Sequence, residues 1–250
     1  MDADLNAQFK ELLAESRRAV VFTGAGVSTE SGIPDFRSPG GRWTRMKPTQ
    51  YQDFLVSEEV RREAWQRRID NDAVWRNAQP NQGHLAIAKL VARGSASTVI
   101  TQNTDGLHVA SGVPEDKVIE LHGNSTYAQC IDCGQRHDQD PIKEAFKAHG
   151  TLPSCDECGG IVKTAIIMFG EQLRPEVLER ASEETLACDL FLSIGSSLVV
   201  HPAASLPVIA KENGAKLVIL NRDPTGFDDA ADLVINGEIG PTMRAVVGLD

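Results

Sequence analysis

Short apolar runs and amphipathic segments alternate along most of the chain. Runs of largely apolar residues predict strands at residues 19–23, 97–101, 117–121, 164–169, 190–194, 216–220 and 233–235. Apolar positions at helical spacing predict helices at residues 4–18, 84–93, 175–187 and 202–213. Strands that alternate with helices in this way predict an α/β fold built on a parallel, doubly wound sheet.

Two stretches interrupt this alternation. Residues 41–80 contain all three tryptophans and many charged side chains, so they predict a loop with one or two helices. Residues 123–160 are polar and hold few side chains that could build a core. We therefore expect a large domain formed by residues 1–40, 81–122 and 161–250, a helical insertion at 41–80, and a small module at 123–160.

Four of the five cysteines form two Cys-x-x-Cys pairs in the small module. Cys130 and Cys133 are followed, after 21 residues, by Cys155 and Cys158. Two residues between paired cysteines let both thiolates reach one ion, and the pattern is typical of a tetrahedral zinc site. Four sulfur ligands leave no open position, so we expect a structural zinc. Redox-active cysteine pairs are the alternative. Cys188, the fifth cysteine, lies outside both pairs and is expected to be a buried apolar side chain.

Composition narrows the classes of function. The 250 residues carry a formal net charge of -10, which argues against a protein that binds nucleic-acid phosphates directly. No apolar run approaches the roughly 18 residues of a membrane span, and the charged N-terminus lacks the apolar core of a signal peptide. An odd number of cysteines without an export signal argues against a disulfide framework. A cytoplasmic location is therefore expected.

The first predicted strand runs directly into the turn Gly24-Ala25-Gly26. A strand followed by a glycine turn opens many nucleotide-binding βα units, although by itself it fits a plain tight turn equally well. Thr29 stands where a dinucleotide fingerprint has its third glycine. No acidic residue ends a second strand about 20 residues later. Both departures disfavour a dehydrogenase that transfers a hydride.

Polar turns follow several of the predicted strands. They contain Gln102, Asn103 and Asp105 after residue 101, His122 after residue 121, Gly195, Ser196 and Ser197 after residue 194, and Asn221 after residue 220. Ligands of open parallel sheets bind at the carboxyl ends of strands, so we expect these residues to face one crevice. Taken one at a time, connecting loops and a structural histidine explain them as well.

A further polar stretch, Asp35-Phe36-Arg37, lies where the far half of a dinucleotide would sit. Arg37 can pair with a phosphate through two hydrogen bonds, and Phe36 can cover a nicotinamide or a ribose carbon. An ordinary surface loop with an ion pair is the alternative for this stretch alone.

In this order the segments resemble the sirtuins, the silent-information-regulator family. The matching segments are GAGVSTESGIPDFRS (24–38), TQNTDGLH (101–108), ELHGN (120–124), the two cysteine pairs, FGE (169–171), GSSLVVHPA (195–203) and the turn at Asn221. They extend over most of the chain, and the cysteine pairs lie between ELHGN and FGE, as in the family.

The resemblance implies a Rossmann-like large domain and a small zinc-binding domain on either side of a cleft. NAD would lie in the cleft, and an acyl-lysine would enter from the other side. The acyl oxygen would attack the nicotinamide ribose, and the products would be nicotinamide, free lysine and O-acyl-ADP-ribose. His122 would be the catalytic base for a ribose hydroxyl, Asn103 would orient the ribose or a water, and Asp105 would hold the carboxamide.

The resemblance also implies the binding residues. Those of the NAD site are Gly24, Ala25, Gly26, Thr29, Asp35, Phe36, Arg37, Gln102, Asn103, Asp105, Gly195, Ser196, Ser197 and Asn221. A peptide would add as a strand between Ile167, Phe169, Gly170 and Glu171 on one side and Leu198 and Val199 on the other. The expected partners are acyl-lysine proteins or peptides, with no direct nucleic-acid or membrane contact and no required oligomer.

The preferred acyl group stays open. Sirtuins that remove succinyl groups carry Tyr-x-x-Arg in the helix over the acyl tunnel, where this chain has Trp65-Gln66-Arg67-Arg68. The tyrosine hydroxyl is absent, so we expect solvated arginines and a deacetylase or short-chain deacylase. The alternatives are desuccinylase-type preference, a mono-ADP-ribosyltransferase, and a non-catalytic NAD or ADP-ribose sensor.

Overall fold

The computed structural model describes residues 3–44 and 46–249. Its strands are β1 (Ala19–Thr23), β2 (Ala96–Thr101), β3 (Val118–Glu120), β4 (Gly123–Cys130), β5 (Arg136–His137), β6 (Val162–Ile166), β7 (Leu190–Ile194), β8 (Lys216–Leu220) and β9 (Leu233–Ile235). Six of them form a parallel sheet in the order β3-β2-β1-β7-β8-β9. The predicted parallel, doubly wound sheet is confirmed.

Helices cover both faces of this sheet. The α-helices are α1 (Ala3–Glu15), α2 (Tyr51–Val56), α3 (Glu58–Asp70), α4 (Asp72–Asn77), α5 (Gln82–Ala92), α6 (Leu107–Ala110), α7 (Gln139–His149), α8 (Pro175–Ala187), α9 (Leu206–Glu212) and α10 (Ile239–Val247). Val21 packs in the core that includes α1, α5 and α10, whereas Val20 and Phe22 pack with α8 and α9. Successive side chains of a strand point to opposite faces, so β1 contributes to both cores. No described helix is long and apolar enough to cross a bilayer.

One predicted strand joins a different sheet. The apolar run at 164–169 was expected in the parallel sheet, but the strand there is β6, which pairs antiparallel with β4. Together with β5 these two strands form a separate three-stranded sheet, in the order β5-β4-β6. The prediction is wrong because an apolar run reveals burial and does not reveal which sheet buries it.

The small sheet shares a core with the helical insertion. Phe146 from α7 and Val162 from β6 pack against Trp65 and Ile69 from α3. The indole Nε1 of Trp65 donates to the carbonyl oxygen of Val162 at 3.4 Å. The expectation that residues 123–160 hold little core is therefore incomplete, because the insertion supplies the missing apolar side chains. The division into domains stays a proposal, in which β6 now goes with the small module.

The strand order changes direction between β1 and β7, with β2 and β3 on one side and β8 and β9 on the other. The turns that follow β1 and β7 contact each other there. The amide of Gly26 donates to the carbonyl oxygen of Gly195 at 2.8 Å. A Cβ added to Gly24 would lie 2.7 Å from that same oxygen. Gly195 has a φ of 66°, in the left-handed region that favours glycine. Such a switch point is where open α/β sheets bind ligands.

Gly195→Ala should destabilise the protein more than Gly94→Ala. Alanine is strained at both positions, whose φ values are 66° and 77°, by about 1–2 kcal/mol. At Gly195 the new Cβ would also lie 2.5 Å from the amide nitrogen of Val27, whereas no described atom lies within 4 Å at Gly94. Urea titration should give an additional loss of unfolding free energy of at least ~1 kcal/mol for Gly195→Ala. Equal losses would contradict a tight contact between the two turns.

Candidate active site

The carboxyl ends of all six parallel strands open into one cleft of about 880 Å³. Of the residues expected at the NAD site, all line this cleft except Asp105: Gly24, Ala25, Gly26, Thr29, Asp35, Phe36, Arg37, Gln102, Asn103, Gly195, Ser196, Ser197 and Asn221. His122 and the peptide-side residues Ile167, Phe169, Gly170 and Glu171 line it as well. Leu198 and Val199 do not, although Val200 next to them does. The cleft therefore brings together residues that lie almost 200 positions apart.

The turns after β2 and β7 are joined across the cleft floor. The side-chain amide of Gln102 donates to Ser196 Oγ at 2.8 Å. Ser196 Oγ also accepts from the amide of Leu198 at 3.3 Å. These two hydrogen bonds fix the turn after β7, which contains Gly195 and Ser196. The backbone at Gly24 is thus held close to that at Gly195. Because neither residue has a side chain, a dinucleotide can approach this backbone directly.

The stretch after the first glycine turn is stabilised by a carboxylate. Asp35 Oδ1 accepts from the amides of Arg37 at 3.1 Å and Ser38 at 2.9 Å, and from Ser38 Oγ at 2.7 Å. The guanidinium of Arg37 lies 4.3 Å from the ring centre of Trp43. Arg37 therefore stacks on an indole here, and its predicted pairing with a phosphate stays a prediction.

A buried hydrogen-bond network lies directly behind the cleft. Asn103 Nδ2 donates to Ser28 Oγ at 3.0 Å, and Ser28 Oγ donates to Asp105 Oδ2 at 2.7 Å. The other oxygen of Asp105 accepts from the amide of Leu107 at 3.0 Å. Asp105 thus contacts the cleft through Ser28 and Asn103 rather than lining it.

Two histidines extend this network into the core. His84 Nε2 lies 3.4 Å from Ser28 Oγ, and the His108 ring centre lies 5.0 Å from that of His84. Burial lowers the pKa of His84 to about 4 and that of His108 to about 3. Both rings are therefore neutral at pH 7. The sequence interpretation missed His84, because its contact with Ser28 joins residues 56 positions apart and no short motif contains both.

His122 is oriented by the backbone of the neighbouring strand end. Its Nδ1 lies 3.0 Å from the carbonyl oxygen of Gln102. A carbonyl oxygen only accepts, so Nδ1 carries the ring proton and Nε2 keeps a free lone pair. Burial lowers the pKa of His122 from its ordinary 6.5, although the bond to Gln102 acts in the opposite direction. At pH 7 the ring is therefore a neutral base.

The segment expected on the peptide side is attached to the turn that contains His122. The amide of Ile167 donates to the carbonyl oxygen of His122 at 2.8 Å. Glu171 Oε2 accepts from the amide of Met168 at 2.8 Å and lies 3.0 Å from Lys163 Nζ. The Glu171 carboxylate thus supports its own loop from inside, while the Phe169 ring is 39% exposed.

Arg67 and Arg68, in the last turn of α3, have different surroundings. The Arg67 side chain is exposed, whereas that of Arg68 is 13% exposed and lies 3.0 Å from the carboxylate of Asp72. Asp72 also lies 2.9 Å from Lys143 Nζ in α7. The expectation of solvated arginines is therefore wrong for Arg68, which lines the cleft as an ion-paired residue.

The four module cysteines converge on one point. Their sulfur atoms all lie within 4.8 Å of one another, with Cys130 3.5 Å from Cys158 and Cys133 3.6 Å from Cys155. A tetrahedral zinc with Zn–S bonds of about 2.3 Å requires sulfur separations near ~3.8 Å. The thiols therefore fit one structural zinc ion. Cys188 is buried apart from them, as expected.

Comparison with known proteins agrees with this geometry. Residues 24–202 match the Sir2 family. The chain belongs to the Sir2 family. Its Sir2-family relatives include the NAD-dependent protein deacetylase of Rhodopseudomonas palustris, which is 50% identical over 96% of this chain and 95% of the relative. The NAD-dependent protein deacetylase 1 of Bradyrhizobium diazoefficiens is 51% identical over 95% of this chain and 93% of the relative.

Solved Sir2 structures resemble the whole chain. A complex described as Sir2-p53 peptide-NAD+ is 38% identical, with a TM-score of 0.86 and coverage of 96% of each chain. Sir2Tm bound to a propionylated peptide is 36% identical, with a TM-score of 0.85 and coverage of 97% of each chain. The sirtuin resemblance predicted from the motifs is therefore confirmed.

Cys155→Ser should remove zinc from this Sir2-family chain. Loss of one thiolate opens the tetrahedral site, so the zinc content should fall from about one ion per chain to a small fraction of that. The midpoint of thermal unfolding should fall with it, because Cys155 also belongs to the small core. Cys188→Ser is the matched control, since it replaces a buried cysteine outside the cluster and should keep the metal. Full zinc occupancy in Cys155→Ser would rule out this ligand set.

Proposed function

We propose that the protein is an NAD-dependent protein-lysine deacylase that consumes NAD and yields nicotinamide, O-acyl-ADP-ribose and free lysine. The observation that carries the proposal is the neutral His122 with an unprotonated Nε2, located where the nucleotide side and the peptide side of the cleft meet. The names of the relatives, NAD-dependent protein deacetylases, support the same activity.

The proposed role of His122 follows from its hydrogen bond. Because Gln102 holds Nδ1 in its protonated form, Nε2 is the atom that takes a proton from a ribose hydroxyl of NAD. The deprotonated oxygen then attacks the carbon of the acyl group, and addition of a water molecule releases free lysine and leaves the acyl group on ADP-ribose. Nicotinamide leaves earlier in the reaction, when the acyl oxygen bonds to the ribose. A neutral imidazole suits this step because a protonated ring has no lone pair to offer.

Asn103 and Asp105 are proposed to act as a connected pair. Asn103 lines the cleft and can orient the ribose or a water, and its side-chain amide is fixed by Ser28. Asp105 supports that arrangement through its own bond to Ser28. Its expected contact with the carboxamide of NAD stays a prediction, because Asp105 does not line the cleft itself.

The peptide is proposed to bind as a strand beside residues 167–171. Phe169 is 39% exposed and Val199 is 54% exposed, so apolar surface is available on both sides of the proposed groove. Acyl-lysine proteins or peptides are the proposed partners. We still predict that the protein is cytoplasmic, that it has no nucleic-acid or membrane partner, and that it requires no oligomer.

The reaction products distinguish the proposal from its alternatives. Incubation with NAD and an acetyl-lysine peptide should give nicotinamide, deacetylated peptide and O-acetyl-ADP-ribose in equal amounts by mass spectrometry. ADP-ribose attached to protein without deacetylation would favour a mono-ADP-ribosyltransferase. Nucleotide binding without any product would favour a sensor.

His122→Ala should reduce kcat/KM by about 10²- to 10⁴-fold, the usual contribution of a general base. His149→Ala, at the exposed end of α7, should leave the rate unchanged. Because the active form is neutral and burial lowers its pKa, the acidic limb of kcat/KM against pH should lie below 6.5 in the unsubstituted enzyme. Loss of zinc or of folding in His122→Ala would instead make His122 a structural residue.

The proposed acyl preference is for acetyl or another short neutral group. Arg68 lines the cleft, but its guanidinium already lies 3.0 Å from the carboxylate of Asp72, which weakens its attraction for an acidic acyl tail. Comparison of acetyl, butyryl and succinyl peptides should give the lowest kcat/KM for succinyl. Arg68→Ala should fold, because Asp72 keeps Arg76 and Lys143, and should leave that order unchanged. Succinyl as the best substrate, with the preference lost in Arg68→Ala but kept in Arg67→Ala, would overturn this choice.

A further inference from the structure

We propose that Trp43 is a positioning residue that joins the NAD segment of the cleft (residues 35–38) to its peptide segment (residues 167–171), an inference that rests on the proposed function. Trp43 contacts aromatic rings on both sides. Its ring centre lies 5.0 Å from that of Phe36 and 5.2 Å from that of Phe169, with an edge-to-face angle of 70° to the latter. Arg37 stacks on the same indole at 4.3 Å. One side chain therefore contacts two residues of the NAD segment and the exposed ring of the peptide segment.

The backbone fixes Trp43 to the NAD segment. Its amide donates to the carbonyl oxygen of Phe36 at 3.0 Å, and the amide of Arg42 donates to that of Asp35 at 2.9 Å. Gly41 allows this closure, since a Cβ there would lie 2.8 Å from the amide nitrogen of Arg37. Residues 35–43 thus form a closed loop, and a displacement of the indole is transmitted to Phe36 and Arg37.

The link to the peptide segment is made mainly by side chains. The backbone of the insertion contacts that segment further on, where the amide of Tyr51 donates to the carbonyl oxygen of Phe169 at 2.8 Å. Between Trp43 and Phe169 the contact is aromatic, and Phe169 is otherwise partly exposed. A peptide that packs on the Phe169 ring restricts its orientations. This restriction also limits the orientations of Trp43 and of the residues stacked on it.

The consequence is a favourable coupling between the two halves of the cleft. If a bound peptide orders Phe169 and Trp43, the nucleotide meets Phe36 and Arg37 already oriented and binds more tightly. Thermodynamic linkage requires the nucleotide to tighten peptide binding by the same factor. One aromatic pair corresponds to a factor of about two to ten in a binding constant.

The test is titration calorimetry with ADP-ribose, which occupies the nucleotide side and has no nicotinamide to lose. Its Kd is measured with and without a saturating acetyl-lysine peptide, and the ratio of the two values is the coupling factor. We expect a factor of about two to ten for the unsubstituted protein. Trp43→Leu should bring the factor to about one, whereas Trp43→Phe, which keeps a ring, should retain part of it.

Tyr127→Leu is the matched control. Tyr127 is another partly buried aromatic residue with an arginine over its ring, since the Arg136 guanidinium lies 3.9 Å from the ring centre, but it is part of β4 and does not line the cleft. It should keep the full coupling factor. An unchanged factor in Trp43→Leu, an equal loss in Tyr127→Leu, or a factor of one in the unsubstituted protein would each overturn the inference. If the unsubstituted protein deacetylates the peptide, those results refute only the role of Trp43. No deacetylation would refute the proposed function itself.

Discussion

The contact between the first turns of the two half-sheets is the constraint on which the cleft depends. β1 and β7 are neighbours, and each continues into a turn that occupies the same small volume. Only glycine fits there, since a Cβ on Gly24 or Gly26 would lie within 2.9 Å of atoms of the other turn. Because of this close approach, the glycine positions of the two turns carry no side chain at the carboxyl ends of the two central strands. The approach also makes the backbone, rather than any charged side chain, the surface at the centre of the cleft floor.

The polar residues of the site are arranged around that bare centre. Gln102 and Ser196 join the half-sheets on one side, while Ser28 gathers Asn103, Asp105 and His84 behind the floor. The arrangement explains how a short turn can hold the side-chain amide of Asn103 firmly, because each of its partners is itself buried or bonded to the backbone. His122 follows the same rule, because a main-chain carbonyl oxygen sets its tautomer.

The fold of the large unit could be predicted from sequence because its signals are local. The runs at 19–23, 190–194 and 216–220 are largely apolar, as is typical of strands covered on both faces, and they form β1, β7 and β8. Local patterns could not assign β6 to the second sheet or supply the module core, since Trp65 meets Val162 over 97 positions. The motifs placed most of their predicted site residues in the lining of the cleft. They missed His84, whose contact with Ser28 joins distant segments. They also missed the ion pair of Arg68, because Asp72 lies only four positions away but the burial of Arg68 depends on distant residues such as Ser125.

The charged cluster around Asp72 determines how this part of the enzyme responds to acidic pH. Arg68, Arg76 and Lys143 surround Asp72 and Asp140, so three cations face two carboxylates at the joint between α3, α4 and α7. Burial alone would raise the pKa of Asp72, but hydrogen bonds from Lys143 and Arg76 bring it to about 2. The joint therefore loses stability only as the pH falls below about 3.8 towards that value. It keeps one charge state from neutral pH down to about 3.8, so a change in activity within that range does not come from a loosening of this wall of the cleft.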